Sequence, residues 1–267
     1  MSKIIMLGTG CGSTANYYNT CFVVQNENGN FLVDTGGSVE LINRLKKANI
    51  NLDEINNIFI SHSHTDHILG MIWLLKKLFG LYSNDKLTNK INIYCNNEVY
   101  EAIKGISKYV LPEKLLNIVY GFINFNILND GDEIDINGIK YKFFDIKARG
   151  FKQYGFKTQM DNKTLTFLGD ETLNPEINDI VRNSDYVMHE AFCLDTEEHI
   201  FHAFEKHHST VKYACEIMND LDIKNLILYH TEESHGNDKK SLYESEGRKY
   251  FDGNVIVPED MEEINII

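Results

Sequence analysis

Proline is scarce in this sequence, three in 267 residues, and tryptophan occurs once. No Pro-rich or Gly/Ser-rich tract marks a linker, and no fixed-period repeat is visible, so the whole length 1–267 is read as one domain. Long apolar runs are missing too. None approaches the ~20 residues that a membrane span requires. The apolar part of Met1–Gly8 is too short for a secretory signal and turns glycine-rich at once, so it reads as a first strand of a soluble, cytoplasmic protein. The five cysteines (Cys11, Cys21, Cys95, Cys193 and Cys215) are odd in number and contain no CxxC pair. That excludes a disulfide framework and a cysteine-zinc site, and it leaves free thiols in a reducing compartment. A basic patch is also lacking, and the formal net charge is −13. The densest basic stretches, Lys46-Lys47, Lys76-Lys77 and Lys239-Lys240, are expected on solvated helix faces. Grip on a long polyanion needs a basic footprint, so a large nucleic-acid partner is argued against. A small phosphodiester is not, because metal ions supply a positive field locally.

What is present is a globular composition, 43% hydrophobic and 24% charged. Residues 3–7, 21–24 and 31–34 read as strands, the last two joined by Glu27-Asn28-Gly29-Asn30. Apolar spacing predicts helices over 38–48, 67–79, near 97–108 and over 209–221. Further strands are expected at 58–60, 91–95, 184–189, 224–229 and 255–257. Two hairpins are expected to turn at Asn137-Gly138 and Asp161-Asn162. Strand-rich halves interleaved with helices give an α/β (α+β) fold, with two sheets face to face and helices outside.

The chemistry is concentrated in His62-Ser63-His64-Thr65-Asp66-His67, directly after the strand at 58–60. Imidazole and carboxylate suit Zn²⁺, Mn²⁺ or Fe. On a tight loop, His62 and His64 converge on one point, while Asp66 and His67 serve a second close by. Two ions roughly 3.5–4 Å apart would clamp both oxygens of a displacement. The competing reading is a polar helix cap by Thr65 or Asp66, which requires no histidine.

HSHTDH after a strand resembles the HxHxDH signature of the metallo-β-lactamase superfamily. Leu7-Gly8-Thr9-Gly10, Asp34-Thr35-Gly36, Phe167-Leu168-Gly169-Asp170 and Leu228-Tyr229-His230 agree with that family in order over almost the whole chain. Within it, Ser61–Gly70, Met188-His189-Glu190-Ala191-Phe192 and His207-His208-Ser209-Thr210 resemble ribonuclease Z and related phosphodiesterases. The resemblance implies the four-layer αββα metallo-β-lactamase sandwich and two metal ions held by His62, His64, Asp66, His67, Asp170 and His230, with Asp170 bridging. It also implies a Glu190/His208 pair beside the metals, Thr210 as a helix cap, and dimerisation as a common property.

The sequence departs from the family twice. No histidine occurs between His67 and His189, although the family places a first-site ligand there. Lys147 or Arg149 stands at that position, and a protonated lysine is a poor ligand. Asp145 is one substitute; His199, His202 and His207 are others. The remaining alternative is that Lys147 replaces the charge of a lost ion. The second departure is the short interval from Lys147 to Asp170, which leaves no room for the long arm that grips transfer RNA in the processing members. A small or cyclic phosphodiester, or RNA, is therefore the expected substrate, with transfer-RNA processing placed behind the smaller esters. Asp66 would orient or deprotonate the attacking water, and His208, braced by Glu190, would stabilise phosphoryl charge and protonate the leaving group. The rivals are a lactone or thioester hydrolase on the same fold and a non-catalytic binding protein.

Overall fold

The computed structural model describes residues 2–84 and 89–267. Met1 of the opening segment lies outside them. Two seven-stranded sheets form the centre. The first takes β1 (Lys3–Gly8), β2 (Cys21–Asn26), β3 (Gly29–Val33), β4 (Ile55–Ile60), β5 (Ile91–Cys95), β6 (Ile123–Ile127) and, at its far edge, β14 (Glu263–Asn265), in the order β14-β1-β2-β3-β4-β5-β6. The second takes β7 (Glu133–Ile136), β8 (Ile139–Asp145), β9 (Tyr154–Met160), β10 (Lys163–Phe167), β11 (Tyr186–Glu190), β12 (Asn225–Tyr229) and β13 (Asn254–Ile256), in the order β13-β12-β11-β10-β9-β8-β7.

Period-two alternation assigns each face. Ile4, Met6, Phe22, Val24, Phe31, Val33 and Phe59 meet Tyr141, Phe143, Phe156, Phe167, Ile227 and Tyr229 between the sheets. The alternate residues Ile5, Leu7, Val23, Leu32, Ile58 and Ile93 face outward onto helices α1 (Glu40–Lys47), α2 (Thr65–Tyr82), α3 (Asn97–Val110) and α4 (Glu113–Phe122). On the second sheet, Val187, Leu226, Leu228 and Val255 meet the short α5 (Asn178–Val181), α7 (Val211–Asp220) and α8 (Lys239–Tyr250). The short α6 (Glu198–Phe201) lies beside a small cluster of Cys11, Phe192, Cys193 and Ala203. This is the expected four-layer sandwich, closed by edge-to-face aromatic pairs such as Phe31–Tyr141 at 4.8 Å and Phe22–Phe167 at 5.2 Å.

Both anticipated hairpin turns have two consecutive positive φ values, at Asn137-Gly138 and Asp161-Asn162, as the right-handed twist of the flanking strands requires. Among the described residues, no helix is long and apolar enough to cross a membrane. All five cysteines are buried free thiols. One sequence expectation fails at Lys239. It is not on a solvated face but almost fully buried, donating from Nζ to Thr9 Oγ1 at 3.0 Å and lying 4.0 Å from the centre of the Tyr17 ring. The aliphatic stem of lysine tolerates burial when its ammonium finds an acceptor and an aromatic face.

Asp185 ties together the starts of β10, β11 and β12. Its carboxylate accepts from Thr164 N at 2.9 Å and from Lys224 Nζ at 2.6 Å. The Lys224 ammonium and the Thr164 amide hold its carboxyl down at about 2. A carboxyl depressed in the folded state contributes stability above its unfolded value of about 3.9, and that contribution is lost as pH falls through the folded value. Asp185→Asn is therefore expected to lower the denaturation midpoint at neutral pH. The gap to the parent should close as pH falls from about 4 to about 2. A gap that stays constant over that range would rule this role out.

Candidate metal centre

Most of the side chains at the site sit at or just past the carboxyl end of a strand. Asp34 follows β3, His62 and His64 follow β4, Asp170 follows β10, Glu190 ends β11 and His230 follows β12. Asp66 and His67 lie in the first turn of α2. The N-cap of that helix is His64, and no side chain caps it. Thr65 and Asp66 are thus not capping residues, and the first-turn carboxylate of Asp66 points into the cluster. Close approach is built into the backbone here. A Cβ on Gly70 would sit 1.9 Å from Thr35 O, so only glycine lets α2 pack on the 34–36 turn. Asp34 and His230 both have φ of 57°, a left-handed conformation that costs about 1–2 kcal/mol outside glycine and is sustained by what their side chains do.

The centre of the cluster is Asp170 Oδ2. His62 Nε2 lies 3.1 Å from it, His67 Nε2 3.4 Å, His230 Nε2 3.6 Å and His64 Nδ1 3.7 Å. Asp66 Oδ2 stands 3.3 Å from His67 Nε2 and 3.5 Å from His230 Nε2. Two donor sets result, Asp66/His67/Asp170/His230 and His62/His64/Asp170, which share Asp170.

A second carboxylate behind the cluster sets the histidine tautomers. Asp34 Oδ1 accepts from Ser61 N at 2.8 Å, and Asp34 Oδ2 accepts from both Ser61 Oγ and His67 Nδ1 at 2.8 Å. The Ser61 hydroxyl has then donated its proton, so its oxygen, 2.9 Å from His62 Nδ1, accepts from that nitrogen. Both imidazoles therefore carry their outward proton on Nδ1 and turn Nε2 toward Asp170.

The donors converge and satisfy one another only in part, His62 Nε2 lying 2.9 Å from His64 Nδ1 and His230 Nε2 3.5 Å from Asp66 Oδ2. His67 Nε2, Asp170 Oδ1 and His230 Nδ1 are buried and have no hydrogen-bond partner among the described residues. Burial lowers the readiness of His62 to take a proton. Burial also opposes ionisation of Asp170, but the surrounding imidazoles outweigh it and hold the carboxyl well below the ordinary range. A buried carboxylate ringed by imidazole nitrogens, with no hydrogen-bond partner at its other oxygen, fits a divalent cation and the imidazole/carboxylate preference of zinc-type ions.

His208 and Glu190 lie to one side. Glu190 Oε2 faces His208 Nδ1 at 3.5 Å, and Glu190 Oε1 accepts from Ser209 N at 2.6 Å. His208 stacks flat on Phe192 at 5.0 Å and stands 5.1 Å from the His230 ring. Burial disfavours the charged imidazole, but Glu190 outweighs it and the proton is held above the ordinary histidine value. Thr210 caps α7, accepting from Tyr213 N.

The substitutes suggested for the missing histidine are not in the cluster. Lys147 adopts φ of 60° and turns its ammonium to Asp130 at 3.4 Å and Asp145 at 3.8 Å, so it does not replace the charge of an ion. Asp145 is engaged by the Lys147 amide at 2.8 Å, and neither it nor Arg149, His199, His202 or His207 belongs to either donor set. The side chain of this loop that meets the cluster is Phe151, whose ring lies 4.6 Å from that of His64. With Asp170 shared, the first set still has three protein donors, the number that leaves a position open for water or substrate. Asp34 and Ser61 stood in segments that carried the family resemblance but were given no role there, and Phe151 was not singled out. A lone aspartate at the end of an apolar strand hinted at Asp34, whereas nothing local signalled the other two.

Comparisons with known proteins bear on the family and the fold. The family profile described as anti-Pycsar protein Apyc1 matches residues 2–247. Ribonuclease Z of Nanoarchaeum equitans is 25% identical over 302 aligned positions, spanning 98% of this chain and 92% of that protein. Among solved structures, the metallo-β-lactamase fold protein YhfI from Bacillus subtilis superposes with a TM-score of 0.77 at 16% identity, covering 99% and 100% of the two chains. The short form of human tRNase Z gives 0.74 at 20% identity, with full coverage of both. The ribonuclease Z-like, metallo-β-lactamase resemblance read from the motifs therefore holds for the chain as a whole.

Removing the carboxylate charge behind the histidines, by Asp34→Asn, is expected to weaken metal affinity by about 10–100-fold with little change in fold. Titration against a competing chelator measures it; unchanged affinity would show that Asp34 does not orient the ligands.

Proposed function

This chain belongs to the family of the anti-Pycsar protein Apyc1 and is a metal-dependent phosphodiesterase related to ribonuclease Z, and we propose that it hydrolyses a small or cyclic phosphodiester at the cluster centred on Asp170. The observation that carries this reading is the Glu190-braced His208 standing 5.1 Å from His230, an acid–base group beside a cation-binding cluster. Two further features favour a small substrate. The net charge is −13, and the stretch from Lys147 to Asp170 is consumed by a short loop and the β9–β10 hairpin, which lies within the second sheet.

His62, His64 and Asp170 would hold one ion, and Asp66, His67, Asp170 and His230 the other. Zinc is our assignment on the donor chemistry, imidazole and carboxylate without thiolate. The five buried cysteines, none in a disulfide, accord with a cytoplasmic setting. Bound ions would supply a water nucleophile at neutral pH and offset phosphoryl charge. The protein does the rest. Asp66 uses Oδ2 toward His67 and His230, which leaves Oδ1 to orient the attacking water and take its proton. His208 keeps Nδ1 toward Glu190, so Nε2 is the atom that donates to the departing ester oxygen. The Phe192 ring, flat against His208, fixes the plane in which that proton is delivered. The sandwich carries Glu190 and His230 at strand ends and Asp66 in the first turn of α2, so their orientation is set before substrate arrives.

Purified protein loaded with Zn²⁺ or Mn²⁺ is expected to hydrolyse bis-p-nitrophenyl phosphate and to be far slower on a lactone and a thioester. Asp170→Ala should abolish turnover. Preference for the lactone or thioester would overturn the phosphodiester assignment. His208→Ala should reduce cleavage of an ester with an alkoxide leaving group by roughly 10²–10⁴-fold. Cleavage of a p-nitrophenyl ester should fall much less, because that leaving group departs as a stable anion. Equal losses on both esters would remove His208 from the acid role.

A further inference from the structure

The loop that follows Asp170 reaches across to the segment that carries His208. It is itself held from β11. Leu173 N donates to His189 Nε2 at 3.2 Å, while His189 Nδ1 donates to the Glu190 carbonyl, so this imidazole is fixed as an acceptor toward the loop. Two bonds then join Thr172 to the second segment. Thr172 N donates to His207 O at 3.0 Å, and Thr172 Oγ1 accepts from Ser209 Oγ at 2.8 Å. One bond falls on each side of His208.

The second segment has little regular structure of its own to place an imidazole. Between α6 and α7 it holds a single tight turn, Phe204–Lys206, and His202 and His207 both adopt left-handed backbone, with φ of 51° and 68°. Glu190 Oε1 accepts from Ser209 N at 2.6 Å and Ser209 O accepts from Phe192 N at 2.9 Å. Those bonds tie Ser209 to the groups that brace and flank the His208 ring. Thr172 ties the same segment to the loop of Asp170. Ser209 is fully buried, and its hydroxyl has no other partner among the described residues, so losing the Thr172 acceptor would strand it. Thr172 is β-branched, which narrows its χ1 and fixes where that acceptor stands. Hydroxyl pairs between loops often serve stability alone. This one is set apart by what it joins, the carboxylate at the centre of the cation cluster and the acid beside it. A misplacement of about 1 Å can cost a catalytic group as much as ~100-fold in rate.

We propose that Thr172 is a positioning residue for the reaction: by holding His207 and Ser209 it fixes the reach of the His208 imidazole to a phosphoryl group at Asp170. This rests on the acid role given to His208 above and adds the residue that sets its place.

The test uses metal-loaded protein and two esters. Bis-p-nitrophenyl phosphate has a leaving group that departs as a stable anion, and ethylene phosphate is a cyclic diester whose leaving oxygen is an alkoxide. Thr172→Val keeps the side-chain shape and the backbone bond but removes the acceptor. It should lower kcat on ethylene phosphate roughly 10-fold and on the aryl ester less than about 2-fold. Thr172→Ser, which keeps the oxygen, should retain the parent ratio of the two rates. Ser209→Ala breaks the same pair from the other side and should match Thr172→Val, and the double variant should lose no more than the worse single one. Equal losses on both esters, or losses that add in the double variant, overturn the proposal. A second readout needs no turnover. The His208 ring lies flat against Phe192, which shields its carbon-bound protons. In zinc-loaded Thr172→Val those proton resonances, identified by their absence from His208→Ala, should move toward their unshielded positions. Resonances that stay in place reject the proposal. If His208→Ala lowers both esters equally, the acid role fails, and if the parent cleaves neither ester, the phosphodiesterase reading fails. In either case the resonances still decide whether Thr172 holds the ring.

Discussion

One buried carboxylate oxygen organises the working end of this protein. Asp170 Oδ2 has four imidazole nitrogens within 3.7 Å, yet the Asp170 side chain is only 3% exposed. Taking a carboxylate out of water is unfavourable by several kcal/mol unless charge and hydrogen bonds compensate. Here the compensation comes from side chains on the end of β4 and the start of α2, which adjoin in sequence, and on the end of β12, which lies far along the chain and in the other sheet. The two sheets must therefore pack in one register for the cluster to exist. The aromatic layer between them, Phe31, Tyr141, Phe143, Phe156 and Phe167, fixes that register.

The outer shell follows from the same constraint. Imidazoles around a shared carboxylate bind a cation only if each turns its lone pair inward. Asp34 enforces this on His67 directly and on His62 through Ser61. Its own left-handed backbone, like that of His230, places a carboxylate where glycine would satisfy the chain but supply no acceptor. Local strain, tautomer control and cation affinity are thus one linked arrangement, assembled just past β3, β4, β10 and β12 and in the first turn of α2.

Much of this was legible in the sequence, because ligand-bearing segments end regular strands. HSHTDH after Ile58-Phe59-Ile60, Gly169-Asp170 after Phe167 and His230 after Tyr229 each follow a strand whose alternation is plain, so convergence at one end of a sandwich followed from topology. The helices and strands that were not anticipated lack such contrast. α4 and β6 run together through Leu115–Ile127 with no turn residue between them beyond Gly121, and α8 is rich in charge while its contacts come from the fold. The buried Lys239 shows the same limit, since only the fold brings Thr9 and Tyr17 to its ammonium. The absent histidine misled in a different way. Aligning by strand pointed to Lys147, but a left-handed residue at that position turns its side chain toward Asp130 and brings Phe151 to the cluster instead.

The central claim is that the two donor sets, which share Asp170, would each hold an ion. Anomalous diffraction from crystals of zinc-loaded protein measures this directly. The account predicts two anomalous peaks on either side of Asp170, one contacted by His62 and His64 and the other by Asp66, His67 and His230. One peak alone, or two peaks with Asp170 turned away from either, would contradict it.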